Sequence, residues 1–161
     1  MSDLVINKRC GLYKTGASIV LGGKELPAPA LVYFHNHPDK NEKILMMPKS
    51  NTGNRWAFHE KGFRVDDDSF IVSLTQMKFE GLYRLKEHFH PNDSEWVPKN
   101  ALVQLGYNGS ADPILFFPYG IEKLNGIQFP DRGMKITEKI YALLEPMDLR
   151  GPQKNDGSHV H

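Results

Sequence analysis

The sequence predicts a mainly β protein: a single-domain β-barrel or β-sandwich of roughly 8–10 short antiparallel strands with at most one short helix. Three observations carry this expectation. The chain has 14 glycines and 11 prolines, and they fall between short apolar runs rather than in one linker, as turns do when they punctuate strands. Several of those runs alternate apolar with polar residues, the period of a half-buried strand. Aromatic residues are spread over almost every run, as a shared interior requires, and this tilts the expectation from sandwich toward barrel.

In order along the chain, strands are expected at Gly11–Lys14 and Ala17–Leu21, the second closed by the Gly22-Gly23 turn. Ala30–His37 is the clearest strand and is stopped by Pro38. Ile44–Pro48 is short and apolar. The stretch "NRWAFHEKGFRVDD" reads as a hairpin with Trp56, Phe58, Phe63 and Val65 on its arms and Glu60-Lys61-Gly62 near the bend. Ser69–Met77 and Phe79–His90 follow as longer strands. In the second of these, Tyr83, Leu85, Glu87 and Phe89 share one face, while Leu82, Arg84, Lys86, His88 and His90 share the other. Ala101–Asn108, "GSAD" and Pro113–Pro118 form a hairpin pattern, and "GIQF", "PDRG", "MKI" another. Residues 137–146 fit a helix by the spacing of Ile136, Ile140, Leu143 and Leu144, and a strand by composition; the two alternatives stay open.

A chain of 161 residues, 40% hydrophobic and 24% charged, is large enough to build its own core without disulfides or metal staples. The expected β-rich domain covers residues 1–149. Residues 150–161 are polar apart from Val160 and are expected to form a flexible tail. A net charge of +1 gives no general attraction to nucleic acid or anionic membranes. The cations and aromatics Arg55, Trp56, Lys61, Arg64, Tyr83, Arg84 and Lys86 read as core rings with solvated neighbours rather than as a nucleic-acid surface. No apolar run is long enough to cross a bilayer, and the first residues lack signal-peptide character, so the expected location is cytoplasmic. Cys10 is the single cysteine, which excludes an intramolecular disulfide and a multi-cysteine zinc site. Phosphate loops, dinucleotide fingerprints and nucleophile elbows are absent. Asp66, Asp67 and Asp68 lack the oxygen spacing of a calcium loop and read as a solvated hairpin end.

The histidines carry the one chemical pattern of note. Six of the seven occur as His-x-His: His35 with His37, His88 with His90, His159 with His161. Alternate residues of a strand share a face, so two imidazoles at this spacing can converge on one ion. The stretch "HNHPDKNE" resembles the first cupin motif. That resemblance implies a small β-barrel in which His35, His37 and Glu42 are metal ligands, with His59 as the fourth. The glycines that flank the family's ligands are absent here, and His59 lacks the second motif's Pro-x-Gly context. "HNHP" is also similar to the zinc motif of JAMM-type metalloproteases, but Ser50 is followed by Asn-Thr-Gly-Asn where that family has a nearby Asp. Zinc, iron, nickel and copper all suit imidazole with carboxylate.

His35 and His37 continue a face that begins with Leu31 and Tyr33 in a strand apolar on both sides. His88 and His90 continue the solvated face of Arg84 and Lys86. The first pair is therefore the metal candidate and the second a surface feature. "HxHPxxxE" occurs at both pairs, each followed by Pro-Lys, yet the flanks do not align as a repeat. The reading favoured by the residues is a small protein that binds a small molecule or protein partner without doing chemistry, with Tyr33, Trp56 and Tyr83 as candidate ligand contacts. The alternative is a cupin-like metalloprotein or enzyme. No catalytic residue is assigned, because no catalytic constellation is complete.

Overall fold

A computed structural model describes residues 3–121 and 126–148. One helical turn, α1 (Asp3–Ile6), leads into β1 (Gly11–Lys14), the hairpin β2 (Ile19–Leu21) and β3 (Lys24–Leu26), and the central strand β4 (Leu31–His37). β5 (Glu42–Met46), the hairpin β6 (Pro48–Thr52) and β7 (Arg55–Phe58), β8 (Phe63–Arg64), α2 (Asp68–Ser73) and β9 (Thr75–Gln76) complete the first half. The second half then runs through β10 (Gly81–Leu85), the hairpin β11 (Phe89–Asn92) and β12 (Glu95–Val97), β13 (Leu102–Tyr107) and β14 (Pro113–Phe116). It ends with the hairpin β15 (Tyr119–Ile121) and β16 (Gly126–Gln128), β17 (Met134–Lys135), α3 (Glu138–Tyr141) and β18 (Leu144–Pro146).

The halves are the same structure built twice. One five-stranded sheet has the order β8-β5-β4-β1-β9 and the other β17-β14-β13-β10-β18, which match position by position. Gly11-Leu12-Tyr13-Lys14 recurs as Gly81-Leu82-Tyr83-Arg84, and Ala30-Leu31-Val32 as Ala101-Leu102-Val103. Small features recur with them. Tyr13 donates its hydroxyl to Arg9 O at 2.6 Å, and Tyr83 to Phe79 O at 2.5 Å. Asp67 caps α2 by accepting from Phe70 N–H, and Thr137 caps α3 by accepting from Ile140 N–H. The two "HxHPxxxE" segments are not the repeat: His35 and His37 lie on β4, whereas His90 lies on the hairpin strand β11.

Each unit has a core on the inner face of its sheet. In the first, Tyr13, Val32, Phe34 and Leu45 pack with Val5 of α1 and with Phe70 and Ile71 of α2. In the second, Tyr83, Leu85, Val103, Leu105, Leu115 and Leu144 form the equivalent cluster, and Leu12 and Leu31 enter it from the outer face of the first sheet. β4 is thus buried on both faces at Leu31 and Val32, and further along Phe34 and Asn36 stay buried while Tyr33, His35 and His37 are only partly so. The units are also joined by polar contacts. Trp56 Nε1–H donates to Tyr107 O at 2.8 Å, Leu31 N–H to Gly109 O at 3.0 Å, and Gln104 Nε2–H to Gly53 O at 2.9 Å.

The mainly β expectation holds, as sandwich-like antiparallel sheets, with several corrections. Among the described residues the sheets are open and no closed barrel forms, because the edge strands β8, β9, β17 and β18 each pair on one side only. The described residues form eighteen strands and three α-helices, not ten strands and one helix at most. The expected strand Ser69–Met77 is mostly α2: the Asp67 side chain satisfies a helix N-terminus, and Lys43 draws Asp68 in at 3.6 Å, so the acidic run is a helix start rather than a hairpin end. Neither the Trp56–Val65 nor the Gly126–Ile136 hairpin forms. β7 pairs with β6 and β8 with β5, while β16 pairs with β15 and β17 with β14. Phe79–His90 breaks between β10 and β11. Residues 137–146 contain both α3 and β18, so both alternatives apply to different parts. The expected tail lies outside the described residues.

Gly62 and Gly133 occupy equivalent positions just before β8 and β17. A Cβ on Gly62 would lie 2.4 Å from Ile44 Cγ2 and 2.8 Å from Leu45 O; on Gly133 it would lie 2.5 Å from Leu115 O and 2.6 Å from Ile114 Cγ2. Gly62→Ala and Gly133→Ala should therefore each destabilise the protein by about 1–3 kcal/mol in urea denaturation. A neutral result at either position would show that its edge strand can move aside.

Candidate metal centre

The pairing of β1 with β4 begins at Gly11 opposite Phe34, which sets Cys10 opposite His35 one step further along. Beyond that point the Cys10 thiol takes the place of a ladder partner: Asn36 N–H donates to Cys10 Sγ at 3.3 Å, and the thiol donates in turn to Asn36 O at 3.6 Å. The pairing of β4 with β5 sets Ile44 opposite His35 and Glu42 opposite His37. Since alternate residues share a face, Cys10, His35 and His37 project from the same side of the sheet.

Their ligand atoms all lie within 4.8 Å of one another, and Cys10 Sγ is 3.9 Å from His37 Nε2. Tetrahedral zinc with ordinary bond lengths separates sulfur from nitrogen by roughly 3.6 Å. The Cys10–His37 pair is already close to that span, and modest side-chain rotation closes the rest. Cys10, His35 and His37 therefore form a cluster that could hold a metal ion. One side of it is walled by aromatics: the Tyr33 ring is 4.8 Å from that of His35 and 5.8 Å from that of Phe58. The His35 and His37 rings are near-parallel at 24° and 5.8 Å apart. Cys10 and His35 are half-buried, with His37 at the strand end.

Of the residues singled out from the sequence, His35 and His37 are brought together. Glu42 faces His37 across the ladder but is not in the three-residue group. His59 is exposed after β7, where its N–H donates to Met47 O at 2.9 Å, and it too is outside the group. His88 and His90 are exposed, with His90 Nδ1 3.3 Å from Glu95 O. His159 and His161 lie outside the described residues. The three aromatic candidates share no single mouth. Tyr33 borders the metal cluster, Trp56 bridges the units, and Tyr83 is buried, its hydroxyl pushed up to about 12 first by desolvation and then by nearby Tyr141. Cys10 escaped notice as a ligand because it belongs to another strand. The signal that could have found it is its place immediately before a short strand able to pair antiparallel with Leu31–His37.

Among the described residues the second unit carries no such cluster. Gly81 opens β10 as Gly11 opens β1, and Gly81 pairs with Leu105 as Gly11 pairs with Phe34. Glu80, Gly106 and Asn108 are thus the counterparts of Cys10, His35 and His37. There the face receives the β6–β7 hairpin of the first unit. The Glu80 carboxylate accepts Trp56 N–H at 3.1 Å, and a Cβ on Gly106 would come within 2.9 Å of Asn54 O. Comparisons of the chain with protein-family models, with curated proteins and with solved structures find no match.

Burial raises the Glu80 carboxyl above its ordinary 4.5, against the smaller lowering effects of the Trp56 N–H bond and the Arg55 charge. A carboxyl raised on folding binds more protons in the native state, so its contribution to stability falls as pH climbs from the ordinary to the raised value. Glu80→Gln keeps an acceptor for Trp56 N–H and removes the charge. The variant's melting temperature relative to wild type should therefore rise across the mildly acidic range and stay level above it. A difference independent of pH would show that Glu80 is effectively solvated.

Proposed function

We propose that the protein binds a transition-metal ion through Cys10, His35 and His37, and that the ion is zinc. The observation that supports this is the convergence of one thiol and two imidazoles from two adjacent strands within 4.8 Å. Mixed sulfur and nitrogen donors in a tetrahedral arrangement suit zinc, which has no geometric preference of its own to satisfy. The Asn36 N–H directed at Cys10 Sγ is a bond that a metal-bound thiolate would keep, while the thiol's own donation to Asn36 O would be given up with its proton on binding. Three protein ligands leave one position open. Glu42, opposite His37 in register, is assigned to that position, which water takes when the carboxylate is turned away. When bound, zinc would supply Lewis acidity at the open position. His35 and His37 would contribute imidazoles from the partly exposed face of the central strand β4.

A second reading is that of a small-molecule or protein-binding module, and a specific feature favours it. A groove of about 690 Å³ runs between the two units, bordered by Lys14, Gln76, Asp112 and Tyr141. It is separate from the metal cluster, so the two readings are compatible.

Zinc titration of chelator-treated, untagged protein tests the metal reading. The expected result is one ion per chain, lost in Cys10→Ser and in the His35→Ala, His37→Ala double variant, weakened in Glu42→Ala and retained in His59→Ala and in His88→Ala, His90→Ala. Binding should also raise stability by about 2.7 kcal/mol at a hundredfold excess over Kd. Cobalt substitution should give a thiolate-to-metal absorption band that is absent from Cys10→Ser. Failure of wild type to bind zinc or cobalt, or binding indifferent to Cys10→Ser, would remove this reading.

A further inference from the structure

We infer, resting on the metal reading above, that metal occupancy and the seating of the N-terminal segment Asp3–Arg9 are coupled through Asn36, so that each strengthens the other. β4 presents its two faces to two different structures. His35 and His37 look to the metal cluster, while Asn36 between them is buried on the opposite face, only 6% exposed. There its Nδ2 donates to Val5 O at 2.6 Å and to Lys8 O at 2.9 Å. Its backbone N–H donates to Cys10 Sγ. One residue thus holds the middle of the segment with its side chain and the adjoining ligand with its backbone.

The seat is finely balanced. In its favour, Val5 is fully buried in the first core, Lys8 Nζ donates to Leu74 O at 2.8 Å, and Tyr13 hydroxyl donates to Arg9 O. Against it, Asn36 Oδ1 is buried with no hydrogen-bond partner among the described residues, which costs stability. α1 has four residues, far below the length at which a helix sustains itself, and its Leu4 and Ile6 are 65% and 43% exposed. A metal ion bound by Cys10 and by the two residues flanking Asn36 would hold the Cys10 and Asn36 backbones in the arrangement that the seated segment requires. Removing the ion releases that restraint, and by linkage unseating the segment must weaken the ion. The second unit shows the same side-chain connection without the coupling. Tyr107, the counterpart of Asn36, donates its hydroxyl to Lys78 O at 2.7 Å, but it is flanked by Gly106 and Asn108.

Hydrogen exchange on the full chain, with zinc and with chelator, tests this. Amides of residues 5–10 should exchange about fivefold more slowly or better with zinc, a ratio at the low end of ordinary coupling, and should be indifferent to zinc in Cys10→Ser. In the reciprocal experiment, Val5→Ala, whose side chain lies in the core on the face away from the ligands, should weaken zinc binding by about fivefold or more. Stoichiometric zinc binding with unchanged exchange in this segment, or with unchanged affinity in a folded Val5→Ala, would overturn the coupling and leave the metal site standing. Wild type that binds no zinc would remove the metal reading and the coupling with it. Should Val5→Ala fail to fold, the wild-type exchange comparison decides by itself.

Discussion

The antiparallel pairing of β1 with β4 is the contact on which the rest of the molecule depends. It is central in the first sheet and is buried from both sides: Tyr13 and Val32 face one core, Leu12 and Leu31 the other. A slip of one residue would exchange the two faces, drive polar groups into both cores and lose apolar burial in each. The register is therefore specified twice over. The alignment of Cys10 with His35 follows from it without any further interaction.

The second unit shows what the same scaffold does with other residues. β10 and β13 repeat the pairing and place Glu80 and Gly106 where Cys10 and His35 stand. Small and acidic residues there admit and hold the neighbouring hairpin, with Glu80 receiving Trp56 N–H. In the first unit the His35 imidazole stands at the position that only glycine could fill in the second. The repeated scaffold thus serves two ends at one face: one unit carries the contact between units, and the other a cluster of donors that could hold a metal ion.

The legible parts of the fold were those in which local pattern and tertiary role agree. β4, β13 and β14 were readable because continuous apolar runs ended in Pro or in a polar turn. The exposure of His88 and His90 was readable because a buried face cannot carry Arg84 and Lys86 without partners. The misread parts were those where a local pattern was overruled. Phe70, Ile71 and Val72 favour a strand by composition, but the Asp67 cap and the neighbouring Lys43 start a helix there. Trp56 and Phe63 flank an apparent bend, yet their strands find partners elsewhere. The duplication was hidden because it lies in the spacing of apolar residues of differing identity, while the visible likeness between the histidine pairs lies across non-equivalent strands.

By itself the sequence determined the mainly β class, the position of the central strands and the fact that His35 and His37 share a face, since strand periodicity and turn residues act over a few neighbouring positions. Tertiary structure alone decided that the chain is one unit built twice, that among the described residues its sheets stay open, and that the group gathered within 4.8 Å of the two histidines is Cys10. The physical reason is range. The side-chain alternation of a strand is local, but which strand lies beside it, and in what register, is settled by burying both faces of a sheet at once.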